Sequence, residues 1–384
     1  MSVEVPDEVV ARVRSVLAAR GSAVTDHALL AALAEQPGVR GQTEVLGLAE
    51  ALRAELVGAG PLDPLLRDPS VTDVLVNGPG LVYVDRGQGL EQTDLRFGDA
   101  AALRALAVRL ASACGRRLDD AVPWVDASLP DGTRVHAVLP PLAPDGPLLS
   151  LRVLRRRALG LADLVAAGAV PADVQPWLRR LVAGRTSFLV TGGTGAGKTT
   201  VLAALLSLVP PDERLVLVED TPELQPSHPH VVRLVTRAAN VEGVGAVGLD
   251  VLVRQALRMR PDRLVVGEVR GAEVVDLLAA LNTGHDGGCG TVHANSSPDL
   301  PARLEALGTA AGLDRSAVHS QLASAVQVVV HLARSDGRRR VAEIGVLEAT
   351  DGWVRVQPAL VHEADGRVSE GPGADRLAAL LGGP

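Results

Sequence analysis

The sequence predicts an α/β protein whose larger part is built on a mainly parallel β-sheet. In the second half of the chain, β-rich runs alternate with helical patterns, which is typical of parallel strands joined by crossover helices. The β-rich runs cover residues 187–191, 214–218 and 263–267, and the helical patterns cover 198–208 and 249–259. The first of these runs also leads directly into a glycine-rich loop, and such sheets place their ligands at the carboxyl ends of strands.

The composition predicts a globular protein with a core of small aliphatic side chains. Hydrophobic residues make up 47% of the 384 residues and aromatic residues only 2%, so Val, Leu and Ala must form the core. The net charge of −7 and the few aromatic rings argue against a general single-strand nucleic-acid binder, which needs a basic groove and stacking platforms. The two cysteines, Cys114 and Cys289, lie far apart in the sequence and predict no disulfide framework.

Neither end of the chain shows a targeting or membrane signal. The N-terminus lacks the basic region and apolar stretch of a signal peptide. No uninterrupted apolar run approaches the ~18 residues of a membrane span. We therefore expect a cytoplasmic protein without direct membrane insertion, so that any membrane role is peripheral.

Changes in sequence texture divide the chain into five predicted segments. Helical spacing predicts a small helical segment before the first β-rich run, and short β-rich runs with turn signals then predict a mixed α/β domain with an antiparallel sheet. A run of three arginines followed by Gly160 predicts a linker, and a segment rich in Gly, Pro and charge at 364–374 predicts a mobile tail. The predicted boundaries are 1–59, 60–155, 156–162 for the linker, 163–350 for the parallel-sheet domain, and 351–384 for a C-terminal hairpin and tail.

The glycine-rich loop fits the phosphate-binding pattern G-x-x-x-x-G-K-[ST] at every fixed position. Its residues are Gly192, Gly193, Thr194, Gly195, Ala196, Gly197, Lys198 and Thr199, followed by Thr200. Lys198 is the single lysine among 38 basic residues, and a planar guanidinium cannot simply replace a compact ammonium in a phosphate cradle. Backbone N–H groups and the helix N-terminus would wrap a phosphate, Lys198 would reach the β and γ phosphates, and Thr199 would bind Mg²⁺.

Two carboxylate clusters follow the loop, each at a predicted strand end. An apolar strand ends in Glu268, as in a Walker B element, but Gly267 stands at the usual aspartate position. We expect Glu268 to hold Mg²⁺ through water. Another strand ends in a cluster of three acids, of which Glu223 is the last. Either cluster alone is typical of a solvated loop, and the complete phosphate loop before them favours a functional site.

Four elements in this order resemble the secretion and pilus-assembly ATPases of the type II and type IV secretion superfamily. They are the phosphate loop, the acidic box 219–224, the Walker B pair 267–268, and the histidine box 283–287 through 293–295. The stretches 125–127, 129–134 and 257–263 are most similar to the Tad/Flp pilus and conjugal-transfer branch. The resemblance covers about residues 60–350.

The resemblance implies a RecA-like P-loop NTPase domain that binds ATP and Mg²⁺, in a homo-hexameric ring at the inner face of the cell membrane. It implies an integral membrane platform protein as partner. By position, Glu223 matches a general base and Glu268 a metal-linked glutamate, and His285 and His293 are expected to sense or relay the γ-phosphate state. Arg134 and Arg152 resemble arginines that close onto phosphates, as an arginine finger does. Arg233 and Arg237 are further candidates on the same grounds.

A zinc site is a weaker interpretation of the histidine box. His285, Cys289 and His293 recur at spacings of four residues. The glycines between them disfavour a helix, and a fourth ligand is missing, so the pattern does not predict zinc.

Three functions are compatible with these motifs. The first is an ATP-hydrolysing motor that powers assembly of a Tad/Flp-type pilus or export through a secretion machine. The second is a DNA-translocating conjugation ATPase, which the acidic net charge disfavours. The third is an assembly scaffold that binds ATP but scarcely hydrolyses it.

Overall fold

The computed structural model describes residues 12–13, 16, 31 and 58–382, with gaps at 88, 130, 154–158, 238, 240–242, 336–337 and 364–365. The predicted helical segment 1–59 lies almost wholly outside the described residues, as does the start of the predicted linker. The chain divides into two compact units, Met1–Arg155 and Arg156–Pro384, called here the first and second units. In the described ranges, no helix is both long and apolar enough to cross a membrane.

The first unit is built on an antiparallel sheet of six strands in the order β3-β2-β1-β6-β5-β4. After a 3₁₀ turn at Gly60–Leu62, its elements are α1 (Asp63–Arg67), β1 (Asp73–Asn77), β2 (Val82–Asp85), β3 (Leu90–Gln92), α2 (Ala100–Ala113), β4 (Trp124–Ser128), β5 (Arg134–Val138) and β6 (Leu148–Arg152). The predicted mixed α/β architecture with an antiparallel sheet is confirmed.

Sequence periodicity explains these elements. In β4, Val125 and Ala127 are buried while the residues between and beside them are exposed, which is the period of two of a sheet with one covered face. Helix α2 is capped by Asp99, the residue before it, whose carboxylate accepts a hydrogen bond from the backbone N–H of Ala102 at 2.7 Å. Its leucine and alanine face then packs into the core of the first unit.

The second unit holds a sheet of nine strands in the order β15-β14-β13-β12-β7-β11-β10-β8-β9. Its first elements are α3 (Leu161–Ala166), α4 (Gln175–Ala183), β7 (Phe188–Gly192), α5 (Lys198–Leu206), β8 (Leu215–Glu219), β9 (Val231–Val235), α6 (Leu249–Ala256), a 3₁₀ turn (Leu257–Met259), β10 (Arg263–Val269) and α7 (Glu273–Leu281). They are followed by β11 (Cys289–Val292), α8 (Leu300–Ala310), α9 (Arg315–Ala325), β12 (Val328–Ser335), β13 (Arg338–Thr350), β14 (Trp353–His362), β15 (Val368–Glu370) and α10 (Ala374–Leu381).

Six neighbouring strands of this sheet run parallel to one another, in the order β12-β7-β11-β10-β8-β9. Strands β13, β14 and β15 extend the sheet beyond β12 by antiparallel pairing. Every residue of β7 and of β8 is buried, because helices cover both faces of a parallel sheet and leave no solvated side. This is why these strands are continuous apolar runs in the sequence. Since parallel strands end at the same edge, the carboxyl ends of β7, β8, β10 and β11 gather the side chains that follow them.

The C-terminal region differs from its prediction. Composition predicts that 364–374 is mobile, yet β15 pairs with β14 and α10 begins at Ala374. Leu377 of α10 is fully buried in the same core as α4 and α5. Composition records the many Gly and Pro residues of this segment but does not reveal that an apolar residue beyond them anchors it. The segment belongs to the second unit instead of forming a tail.

Candidate nucleotide site

The phosphate loop connects β7 to α5 with a backbone that needs glycine. Gly195 and Gly197 have φ of 71° and 96°, in the left-handed region that favours glycine. At Gly192, an added Cβ would lie 2.5 Å from the carbonyl oxygen of Leu332, with which it pairs between β7 and β12. The glycines of the motif therefore shape the loop and also let the neighbouring strand approach.

Lys198 is held inside this loop although it is charged. Its side chain is 7% exposed, and Nζ donates hydrogen bonds to the carbonyl oxygens of Gly192 and Gly193, both at 2.9 Å. Burial lowers the pKa of Lys198, and the negative charges of Glu268 and Glu223 oppose that shift. The ammonium is thus already positioned at the loop, with two carboxylates near enough to stabilise its charge.

His293 and Glu268 form the second part of the site. His293 follows β11, and its Nε2 lies 3.1 Å from Oε1 of Glu268 near the end of β10. Both ring nitrogens of His293 lie 3.4 Å from Nζ of Lys198. Burial and the positive charge of Lys198 lower the pKa of His293, and Glu268 opposes this, so the structure favours a neutral imidazole at neutral pH.

The acidic box contributes a turn after β8 that is stabilised by Glu219. The Glu219 side chain is almost completely buried, and its Oε1 accepts hydrogen bonds from the backbone N–H groups of Glu223 at 3.0 Å and Leu224 at 2.8 Å. Burial raises the pKa of Glu219 to about 7. Glu223 is half-buried on this turn.

Gly267 has a structural explanation. A Cβ at Gly267 would lie 2.8 Å from Cγ of Glu219, so the Glu219 side chain fills the space beside the position where a Walker B aspartate would stand. Glu219 belongs to the acidic box, but the sequence patterns assign no role to it. The signal for this contact is the glycine at the aspartate position, because a residue without a side chain leaves room for a neighbouring side chain.

The structure brings together some of the predicted residues of the second unit. Lys198, Glu268 and His293 are in contact, and the charge of Glu223 acts on Lys198. Thr199 lies half-buried in the first turn of α5, and the neighbouring Thr200 is exposed.

The arginine candidates have different surroundings. Arg134 and Arg152 belong to the first unit, where they lie directly opposite each other on β5 and β6. Their side chains form ion pairs with Asp126 at 3.5 Å and Asp73 at 3.0 Å, respectively. In the second unit, Arg233 donates to the carbonyl oxygen of Leu224 at 3.0 Å, and Arg237 donates to that of Gly245 at 2.6 Å.

His285 does not join His293. It precedes β11 and its Nδ1 lies 3.2 Å from the carbonyl oxygen of Ala280 in α7, whereas His293 follows the other end of β11. Cys289, at the start of β11, is fully buried, and desolvation raises the pKa of its thiol to about 12. The three side chains are therefore distributed along a strand, and no metal-binding group of three or more His, Cys, Asp or Glu occurs among the described residues.

The chain is similar in sequence to a family of known secretion proteins. The sequence matches the type II/IV secretion system protein family over residues 55–367. A Mycobacterium tuberculosis protein, named provisionally as a conjugal transfer protein, is 59% identical over 337 residues, which cover 86% of this chain and 95% of that protein. The type IV secretion system protein PtlH of Bordetella pertussis is 34% identical over 314 residues, covering 74% of this chain and 92% of PtlH.

A solved structure shows the same fold. The ATPase DotB of Yersinia pseudotuberculosis is similar with a TM-score of 0.53 at 17% identity, over 75% of this chain and 79% of DotB. The predicted RecA-like architecture is confirmed. The family match shows that this chain belongs to the type II/IV secretion system family, and it is an ATPase of that family.

Proposed function

We propose that this ATPase is a homo-hexameric motor that powers assembly of a Tad/Flp-type pilus, or export through a type II/IV secretion machine. The observation that carries the proposal is the convergence of Lys198, Glu268, His293 and Glu223 at the carboxyl edge of the parallel sheet. A site of this kind can hold a triphosphate and activate water beside it. The branch assignment is supported by the stretches 125–127, 129–134 and 257–263.

The phosphate loop is proposed to bind ATP through its backbone and through Lys198. In the structure, Nζ already lies against the carbonyl oxygens of Gly192 and Gly193, from which it can turn to β and γ phosphate oxygens without leaving the loop. The N–H groups at the start of α5 add positive potential at the same place. The loop residues 192–200 are accordingly assigned to nucleotide binding.

Thr199 and Glu268 fit a Mg²⁺ ion by their chemistry. Both offer oxygen ligands, and Mg²⁺ keeps several waters and needs only one or two protein groups beside the phosphates. When bound, Mg²⁺ would neutralise charge on the phosphates. Oε1 of Glu268 also lies 3.1 Å from Nε2 of His293, so the imidazole orients this carboxylate. Because the same ring contacts Nζ of Lys198, His293 can couple the position of Glu268 to that of Lys198.

Glu223 is proposed as the general base. Its carboxylate is half-buried, it belongs to a turn fixed by backbone hydrogen bonds, and its charge acts on the Lys198 ammonium. It would accept a proton from the water that attacks the γ phosphate. Arg134 and Arg152 are proposed to bind the phosphates and to stabilise charge on them.

The proposed setting is the cytoplasm at the inner face of the cell membrane, with an integral membrane platform protein as partner. The similarity to PtlH, named as part of a type IV secretion system, supports this setting. The domain boundaries 60–155 and 163–350 are proposed with it.

Two variants test the catalytic part of this proposal. Lys198→Ala and Glu223→Gln should each abolish phosphate release, because one removes the phosphate contact and the other the base. Glu223→Gln should still bind ATP. Wild-type turnover in both purified variants would contradict the assignment.

The Glu223→Gln protein, which should stay bound to ATP, also allows the cargo to be identified. Recovered from membranes, it should carry an integral membrane protein together with pilin-like subunits. Recovery of DNA-processing proteins without such subunits would contradict pilus assembly.

A DNA-translocating conjugation ATPase is the second candidate, and the name of the Mycobacterium tuberculosis relative favours it. DNA would then stimulate ATP turnover, and the stimulation would fall steeply with salt as counterion release predicts. The net charge of −7 counts against it. Turnover that is indifferent to DNA would exclude this candidate.

A further inference from the structure

Glu219 is unusual among the acidic residues near the site because it is shielded from water. Its side chain is 2% exposed at the end of β8, while Glu223 and Glu268 are half-buried. A carboxyl group with so little access to solvent cannot meet a water nucleophile in the way that Glu223 can. Any role of Glu219 in the reaction must therefore act through the residues that it touches.

The residues that Glu219 touches are those of the turn bearing the proposed base. Its Oε1 accepts hydrogen bonds from two successive backbone N–H groups, those of Glu223 at 3.0 Å and Leu224 at 2.8 Å. Its Oε2 is buried and makes no hydrogen bond among the described residues. Oε1 is therefore the atom through which the Glu219 side chain holds the turn, beside the backbone bond from the Glu223 N–H to the carbonyl oxygen of Thr221 at 2.8 Å.

The same turn is held from its other side. The carbonyl oxygen of Leu224 accepts a hydrogen bond from Arg233 on β9 at 3.0 Å, and the Leu224 side chain is fully buried. Gly267 on β10 has no side chain, and Cγ of Glu219 occupies the space beside it. The neighbouring strands β9 and β10 thus contact the turn and the Glu219 side chain, respectively.

We propose that Glu219 is a positioning residue, which holds the backbone of Glu223 so that the Glu223 carboxylate faces the attacking water. The proposal rests on the proposed role of Glu223 as general base. A base must lie within hydrogen-bond reach of its proton, and a shift of ~1 Å can lower a rate by ~100-fold. Among the described residues, the side-chain hydrogen bonds of Glu219 go to the turn of Glu223 and Leu224 and not to the phosphate loop, so we assign its effect to the chemical step and not to nucleotide binding.

The test separates turnover from binding in Glu219→Ala. This variant removes the acceptor of the Leu224 N–H and leaves the Glu223 N–H with the carbonyl oxygen of Thr221 at 2.8 Å. We expect kcat to fall by about 10-fold or more while KM and the Kd of a fluorescent ATP analogue change by less than about twofold. Glu219→Gln keeps a side-chain oxygen at the Oε1 position and should regain most of the lost kcat. Circular dichroism and gel filtration confirm that each variant is folded.

Glu273 offers a matched control for burial. It is 4% exposed, and its Oε1 likewise accepts two successive backbone N–H groups, those of Arg270 at 2.6 Å and Gly271 at 2.8 Å. Glu273→Ala removes a buried carboxylate of the same kind whose hydrogen bonds go to the backbone of Arg270 and Gly271, and not to that of Glu223 and Leu224. It should lower thermal stability as Glu219→Ala does, with kcat within about threefold of wild type.

Gly267→Ala approaches the same contact from the other side. The added methyl group would displace Cγ of Glu219, so kcat should fall in the wild-type background. In the Glu219→Ala background the clash is absent, and the same substitution should cost much less. Such non-additivity in a double-mutant cycle is the sign of a direct contact.

Three outcomes would overturn the inference while Glu223→Gln remains inactive. These are an unchanged kcat in folded Glu219→Ala, a loss explained by weaker ATP binding, and a Glu219→Gln variant as impaired as Glu219→Ala. If Glu223→Gln itself turned over ATP at the wild-type rate, the general-base assignment would fail first and the inference with it.

Discussion

At the scale of single residues, Lys198 illustrates why residue type matters at this site. Its ammonium is enclosed between the carbonyl oxygens of Gly192 and Gly193, each at 2.9 Å, and beside the ring of His293. A compact cation with three donors satisfies this arrangement. The remaining basic residues of the chain are arginines, whose planar fork is larger and presents its donors in fixed directions.

We therefore expect Lys198→Arg to lower ATP turnover by ~100-fold or more even though it preserves the charge. The guanidinium does not fit between the two carbonyl groups and the imidazole. Phosphate release and binding of a fluorescent ATP analogue measure the effect. Arg104→Lys, in an exposed ion pair with Asp120 in the first unit, is the reverse control and should be silent. Near-normal turnover in Lys198→Arg would show that charge alone is sufficient.

Glu219 predicts a pH dependence of stability. Its pKa is about 7 in the folded protein, against an ordinary value of 4.5 for a glutamate side chain. Between pH 4.5 and pH 7 the folded state keeps a proton on Glu219 that the unfolded state has released. The contribution of Glu219 to the free energy of unfolding is therefore complete below pH 4.5 and is lost as pH rises through 7. The loss at pH 8 is at most ~3 kcal/mol.

Glu219→Gln cannot ionise and should escape this loss. Its free energy of unfolding relative to wild type should rise between pH 5 and pH 8, as measured by urea unfolding of the nucleotide-free protein. A parallel pH profile of the two proteins would mean that Glu219 ionises normally in the folded state.

At the scale of elements, the junction of β7 with the phosphate loop depends on close approach of two strands. Gly192→Ala places a methyl group 2.5 Å from the carbonyl oxygen of Leu332 at a φ of 149°. We expect a loss of about 2 kcal/mol or more in the free energy of unfolding. Gly193→Ala, where an added Cβ meets nothing within 4 Å, is the matched stability control. Equal unfolding midpoints for both variants would contradict this explanation.

Elements with strong local signals could be predicted from sequence. The strand before the phosphate loop and the helix after it were predicted within a few residues, because an apolar run and a glycine loop identify both. The pairing of β15 with β14 could not be predicted, since Gly, Pro and charge dominate its sequence. Leu377 anchors α10 in the core, and a single apolar contact of that kind leaves little trace in composition.

At the scale of the whole molecule, the first unit is proposed to contribute arginines to the reaction. Arg152 pairs with Asp73 at 3.0 Å on an exposed part of the first unit's sheet. An exposed ion pair contributes at most ~1 kcal/mol to stability, so Arg152→Ala should leave the unfolding midpoint almost unchanged. If Arg152 closes onto phosphates, kcat should fall by ~100-fold or more.

Arg86→Ala is the control for that prediction. Arg86 forms ion pairs with Glu91 at 2.8 Å and Asp68 at 3.5 Å, donates to Ser70 at 3.2 Å, and has no proposed role in catalysis. Arg86→Ala should leave kcat unchanged. Equal turnover of the Arg152 and Arg86 variants would remove Arg152 from the mechanism.

The sequence by itself determined the class of site, because a phosphate loop, two strand-end carboxylates and a histidine box are local patterns that survive in linear order. Lys198, Glu268 and His293 were identified in this way, and the structure brings them into contact. Only the tertiary structure decided which groups lie beside them. Glu219 fills the space beside Gly267 because β8 and β10 are neighbours in the sheet, whereas His285 lies beyond the opposite end of β11. Strand order brings distant residues together, and no local pattern encodes it.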